Sequence, residues 1–159
     1  MQNKYTLKNA ITFNLTGKKH NAMASIASLK EIKQHKDYFE FDFAKLLKDA
    51  TVYKIYKQGD EDIIQGLVAV KPSRGVLDCA NMETNRINKA PLSLHNGVGK
   101  AIIALCCCIS FDLGFDGYIT FEAKNRLMPY YQRYGAKHIA GLRMGIETFE
   151  AQKLIDFYA

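Results

Sequence analysis

The chain has 159 residues, 48% apolar and 24% charged, a balance that excludes disorder as its main state and suits a single domain over residues 1–159. Folding at this length buries about two thirds of the unfolded surface, so no disulfide or metal staple is needed. The net charge of +6 favours an anionic partner (nucleic acid, acidic lipid or a phosphorylated cosubstrate) without choosing among them.

Residues 5–15 read as a first strand, and Thr16-Gly17-Lys18-Lys19 as a polar break. The apolar spacing of Met23, Ile26, Ala27, Leu29 and Ile32 predicts a helix over His20–Lys36, and that of Phe39, Phe43, Leu46 and Leu47 a second over Phe39–Ala50. Thr51–Lys57, Ile63–Val70 and Val76–Glu83 alternate like strands and are separated by turn residues, which predicts an antiparallel meander. Residues 85–96 are polar and irregular. Gly97–Leu113 reads as a helix covered on most sides, Tyr118–Glu122 as a short strand, and Met128–Tyr134 as a helix with Pro129 in its first turn. Lys137–Glu147 reads as one strand and Phe149–Tyr158 as a final amphipathic helix. The order predicts an α/β (α+β) fold with a mixed, mostly antiparallel sheet flanked by helices.

Four cysteines, Cys79 and the run Cys106, Cys107 and Cys108, contain no Cys-x-x-Cys pair, and His20, His35, His95 and His138 have no ligand spacing. Reduced thiols in a cytoplasm and no metal are expected. The cysteine run spans about 200° of a helix, so it reads as core packing rather than one reactive site. The opening residues, Met-Gln-Asn-Lys-Tyr, lack the apolar core of a secretion signal, and the longest apolar stretch, Ala101–Ile109, is too short to cross a bilayer. No membrane association is expected.

The most informative segment is Leu94-His95-Asn96-Gly97-Val98-Gly99-Lys100, which opens a helix. Glycines let a ligand approach the backbone, and the free N–H groups of a first helical turn, aided by the helix dipole, suit a diphosphate. Arg86, Lys89 and Lys100 stand in this region with no acidic residue between Thr84 and Lys100, and His95 is a candidate phosphate contact. No Gly-Lys-Ser/Thr follows, so this is not a P-loop, and the third glycine of a dinucleotide fold is missing.

A meander, Gly97-Val98-Gly99, a long apolar helix, a strand, and then Tyr130-Tyr131-Gln132-Arg133-Tyr134-Gly135-Ala136-Lys137 together resemble the GNAT superfamily of N-acetyltransferases over roughly residues 52–147. Leu94 stands where that family's Arg/Gln-x-x-Gly-x-Gly/Ala signature has Arg or Gln. Lys124 stands seven residues before Tyr131, where the family often has Asn, and Asn125 six before. The resemblance implies a V-shaped split between the fourth and fifth predicted strands, Val76–Glu83 and Tyr118–Glu122. It also implies acetyl-CoA as cosubstrate, its diphosphate held by Asn96, Gly97, Val98, Gly99 and Lys100, and further contacts from Asn81, Met82, Lys124 and Asn125.

Acetyl transfer to an amine needs a base, because an alkyl amine of pKa about 10 is protonated at neutral pH, and an acid for the departing thiolate. By position Tyr131 matches the family's acid. Strand alternation puts Leu77, Cys79, Asn81 and Glu83 on one face and Asp78 on the other, and Glu83 corresponds to the family's strand-end base, direct or through water. A β-bulge would reset this parity. An N–H near Asn81 or Met82 would steady the thioester oxyanion.

The acceptor is expected to be a small-molecule, peptide or protein amine, and the resemblance allows a homodimer. Two rivals remain open: a CoA-binding module without transfer, suggested by Leu94 and the displaced Asn, and a nucleic-acid-directed, tRNA-acetylating protein. Scattered lysines without an aromatic-basic cluster argue against nucleic acid.

Overall fold

The computed structural model describes residues 4–159; Met1–Asn3, on which the reading of the chain's opening partly rests, lie outside the described residues. Among the described residues nine strands form one sheet. They are β1 (Lys4–Phe13), β2 (Lys18–Ile26), β3 (Thr51–Lys57), β4 (Gly66–Ser73), β5 (Val76–Thr84), β6 (His95–Asn96), β7 (Ile119–Glu122), β8 (Lys137–Ala140) and β9 (Arg143–Ile146). Their spatial order is β6-β1-β2-β3-β4-β5-β7-β9-β8. Every pairing is antiparallel except β5 with β7. The helices are α1 (Leu29–Gln34), α2 (Phe43–Leu46), α3 (Val98–Asp112), α4 (Met128–Gln132) and α5 (Thr148–Phe157). None of them is long and apolar enough to cross a membrane.

The sheet separates two cores. On one face α3 and α5 cover Tyr53, Ile55, Val68, Val70, Leu77 and Cys79; on the other α1 and α2 cover Val52, Leu67 and Ala69. The alternation of Val52 and Tyr53, and of Val68 and Ala69, across these two cores is the period-two pattern of strands buried on both faces. Helix α3 is buried nearly all round because β1, β4, β5 and β7 lie below it and α5 beside it.

Three expected elements differ. Lys18–Ile26 is a strand, not the start of a helix: it forms a hairpin with β1, and Ala22 and Ala24 are buried at alternate positions. The helix-favouring composition of this segment yields to pairing on both sides. What remains of the predicted helix is α1, begun by a capping box in which Ser28 accepts the Glu31 N–H and Glu31 accepts the Ser28 N–H. The helix expected over Phe39–Ala50 contracts to α2, a single turn capped by Asp42. The strand expected over Lys137–Glu147 breaks at Gly141, φ 55°, into the β8–β9 hairpin. With β2 and β6 added, the strands on either side of the split are the fifth and seventh, not the fourth and fifth.

Candidate active site

The split forms where β5 changes direction. β5 and β7 pair over Leu77–Cys79 and Ile119–Phe121, and among the described residues no strand continues on that side of β5 beyond Cys79. Opposite β4, the register shifts between Val70–Cys79 and Ala69–Asn81, so Ala80 is an extra residue. This bulge bends β5 away from β7. The two strands diverge around a cleft of about 570 Å³ whose walls include Asn81, Met82, Glu83, Lys124, Arg126 and Tyr131. Backbone groups on the open edge of β5 must find partners in a ligand or water.

The same bulge corrects the predicted faces. Before it, Leu77 and Cys79 point toward α3. After it, Met82 joins that core, while Asn81 and Glu83 stand opposite Ala69 and Leu67 on the α1–α2 face. Cys79 and Glu83 therefore lie on opposite faces. Burial beside Cys106 pushes the Cys79 thiol well up, burial likewise raises Cys107, and Cys108 is pushed up to about 12, so these thiols stay protonated at neutral pH. All four cysteines are free, and among the described residues no cluster of metal-ligating side chains occurs.

Glu83 is buried and heavily engaged. Its Oε2 accepts the Glu40 N–H at 2.7 Å and pairs with Lys89 Nζ at 3.2 Å, and its Oε1 accepts the Phe41 N–H at 3.0 Å. Oε1 keeps one lone pair for a further donor. Across the cleft, the Tyr131 ring packs edge-on against Phe121, 4.9 Å between centroids. Burial raises its phenol above the ordinary tyrosine value, so it holds its proton at neutral pH.

The helix opening is shaped by Gly97 and Gly99. Gly97 caps α3 in the left-handed region, φ 94°, so close to β1 that any Cβ would strike the Ala10 carbonyl oxygen. Ala101 N–H bonds to Gly97 C=O. Among the described residues the N–H groups of Val98, Gly99 and Lys100 donate to nothing. A bound anion would satisfy these donors, so the residues present fit a diphosphate. Gly99 also lines the cleft, with the Tyr130 hydroxyl above it. Tyr130 is pushed up to about 12 by burial and by Tyr134, and stays a hydrogen-bond donor. Nothing in the sequence pattern distinguishes its direction from that of Tyr131.

Other candidates are placed elsewhere. Lys100 leaves the helix opening and lies over the Phe157 ring, Nζ 3.4 Å from its centroid, in a neighbouring groove of about 490 Å³ shared with Arg133, Lys137 and Lys153. Asn96 binds the Asn14 amide at 3.2 Å. Lys124 lines the cleft, whereas Asn125 does not and Arg126 stands beside Lys124 instead. His95 is turned into the protein, packed at a tilt against Phe13 and bonded through Nδ1 to Asn88 at 2.8 Å, so it is not a phosphate contact in this arrangement.

Solved structures share this architecture. AtaTR bound with AcCoA aligns over 84% of this chain and 97% of its own, with a TM-score of 0.61 and 11% identity. The IAA acetyltransferase from Bacillus cereus ATCC 14579 aligns over 79% and 99%, with a TM-score of 0.61 and 13% identity. The ribosomal-protein-S18-alanine N-acetyltransferase from Escherichia coli aligns over 79% and 92%, with a TM-score of 0.59 and 10% identity. No protein-family profile and no curated protein sequence matches the chain. The chain has the fold of the GNAT N-acetyltransferases.

Proposed function

We propose that this protein transfers the acetyl group of acetyl-CoA to an amine by direct attack in a ternary complex. The observation that carries the reading is the set of unpartnered N–H groups at the start of α3 beside the open split between β5 and β7. The amides of Val98, Gly99 and Lys100 receive the diphosphate, with the Tyr130 hydroxyl nearby and Lys124 and Arg126 adding charge. The pantetheine arm lies along the open edge of β5 at Asn81 and Met82, as an added strand would.

The amine nitrogen attacks the thioester carbonyl carbon, and an N–H of β5 near Asn81 or Met82 stabilises the oxyanion. Through a water at the free lone pair of Oε1, Glu83 relays the ammonium's first proton to solvent before the attack and takes the second N–H proton as the amide forms. Collapse of the tetrahedral intermediate breaks the C–S bond, and Tyr131 gives its phenolic proton to the departing thiolate, of comparable basicity. The aligned structures named for AcCoA and for acetyltransferase activity support the donor; the acceptor rests on the amine chemistry alone.

A thermal-shift titration with acetyl-CoA and CoA, followed by an amine screen that reads thiol release, tests the reading. Stabilisation by both ligands with amine-dependent release is expected; no stabilisation by either overturns it. The engagement of Glu83 by Glu40, Phe41 and Lys89 favours a second reading, a CoA-binding module without transfer, which predicts stabilisation with no thiol release from any amine.

A further inference from the structure

Lys100 is the third residue of α3, yet its ammonium does not stay at the helix opening. It lies over the Phe157 ring, 3.4 Å from the centroid, with the centroids of Tyr134 and Tyr158 at 5.1 and 5.6 Å. Tyr134 follows α4, whereas Phe157 and Tyr158 close α5, so two distant stretches of chain bring their rings to one cation. What that cation lacks is a carboxylate: among the described residues no acidic side chain pairs with Lys100. Its groove also holds Arg133, Lys137 and Lys153, and Glu150 in the same wall faces Lys153 at 3.7 Å. Burial pushes Lys100 below the ordinary lysine value, and the rings recover part of the lost hydration.

Resting on the acetyl-transfer reading, in which the first amides of α3 hold a diphosphate, we propose that Lys100 is a stowed phosphate ligand. Phe157 keeps its ammonium while the split is empty, and Lys100 swings back over the α3 opening when a diphosphate is bound. Phe157 acts only through Lys100, as its positioning residue, and it opposes CoA binding by competing for the cation.

The helix geometry allows the exchange. Side chains of an α-helix lean toward its N-terminus, so a lysine at the third position reaches the first turn by rotating its own side chain, without moving the backbone. The two destinations differ in strength. Phe157 is 68% exposed, and a ring face in that setting is a weak partner for an ammonium, whereas a diphosphate offers charge-assisted hydrogen bonds. Lys137 and Lys153 would have to leave Glu147 and Glu150 to make the same move; Lys100 has no ion pair to give up. Because the ammonium occupies one place at a time, the coupling is reciprocal: losing Phe157 tightens CoA, and CoA uncovers the Phe157 ring.

The test follows the lysine itself. Reductive methylation with isotope-labelled formaldehyde keeps each lysine charged and gives it an NMR signal, and the signal missing from Lys100→Arg belongs to Lys100. The ring current of Phe157 is expected to place that signal upfield of the other lysines in the ligand-free protein. CoA, or inorganic pyrophosphate at higher concentration, is expected to return it toward them, while pantetheine, which lacks the diphosphate, leaves it in place. By calorimetry Phe157→Ala is expected to bind CoA about two- to fivefold more tightly, equal to about 0.4–1 kcal/mol, and Lys100→Met about fivefold more weakly. Adding Phe157→Ala to Lys100→Met is expected to bring no gain, which a merely structural effect of Phe157 would not reproduce. A Lys100 signal without the upfield shift overturns the proposal, as does CoA affinity in Phe157→Ala that is unchanged or weaker. If CoA neither gives heat nor moves the signal but pyrophosphate moves it, the acetyl-CoA reading fails and the stowed lysine stands; if neither moves it, the stowed lysine falls too.

Discussion

The phenol oxygen of Tyr130 stands 3.1 Å from the point where a Cβ on Gly99 would lie, so the open amides of α3 are approached under a hydroxyl. Gly99→Ala puts a methyl group in that narrow space and in the path of a diphosphate. Alanine is otherwise better than glycine in a helix by about 1 kcal/mol, so the fold gains or holds its stability. CoA affinity is expected to fall at least tenfold while the urea midpoint stays level or rises. Calorimetry showing full CoA affinity in Gly99→Ala would remove this turn from the binding site.

Gly97 behaves differently because its constraint lies within the protein. It adopts φ 94°, and a side chain there meets the backbone of Ala10, which cannot swing aside as a phenol can. Gly97→Ala is expected to destabilise the fold by about 2–4 kcal/mol. Urea unfolding measures this directly, and a loss below about 1 kcal/mol would show that β1 yields at Ala10.

Periodicity made α3, α5 and the β3–β4–β5 meander legible, because each buries a face that repeats at its own spacing. β2 was not legible: Ala22, Met23 and Ala24 suit a helix, and only pairing with β1 and β3 makes them a strand. Ser28-x-x-Glu31 was a readable sign of where α1 begins. The site was half legible. Gly97, Gly99 and Tyr131 carry local signatures, but the face of Glu83 depends on the bulge at Ala80, which places one extra residue against β4 with no local mark in the sequence. Tyr130 and Tyr131, neighbours on a five-residue helix with rings in edge-on contact at 5.1 Å, take their separate positions from packing over Gly99 and on Phe121.

Tyr131 packs by its ring, and among the described residues no side chain or backbone group hydrogen-bonds its hydroxyl. Tyr131→Phe keeps the aromatic packing and removes only the proposed proton donor. Turnover is expected to fall at least tenfold with CoA affinity nearly unchanged, read by thiol release and calorimetry on the same preparation. Unchanged turnover would exclude Tyr131 as the acid.

Glu83→Gln removes a charge that Lys89 pairs with and turns one acceptor oxygen into a donor facing the Glu40 or Phe41 N–H. Leaving one buried N–H unpaired costs about 1–3 kcal/mol, and a fall of that size in unfolding free energy is expected. The rate effect is separated from this loss by the pH profile. If Glu83 is the base, added pH restores turnover in the variant as the amine deprotonates by itself. A variant that loses stability but keeps the parent's profile would make Glu83 a clamp for the Glu40–Phe41 segment alone.

His95 gives the protein a stability that depends on acid. Asn88 donates from Nδ2 to Gln65, so its Oδ1 accepts from His95, and Nε2 is left as a buried acceptor without a partner. Burial first, then the nearby charges of Lys57 and His20, push His95 down to about 4 from 6.5. The unfolded chain thus takes up this proton at higher pH than the folded one. Stability from the neutral ring is fully present above about pH 6.5 and is lost as pH falls toward 4, by roughly 3 kcal/mol over that span. His95→Gln, which removes the titrating ring, is expected to lower stability at pH 7 and to flatten the decline between pH 6.5 and 4 by about 3 kcal/mol relative to the parent. Urea unfolding at half-unit pH steps reads both effects; parallel declines in the two proteins would assign the acid sensitivity to other groups.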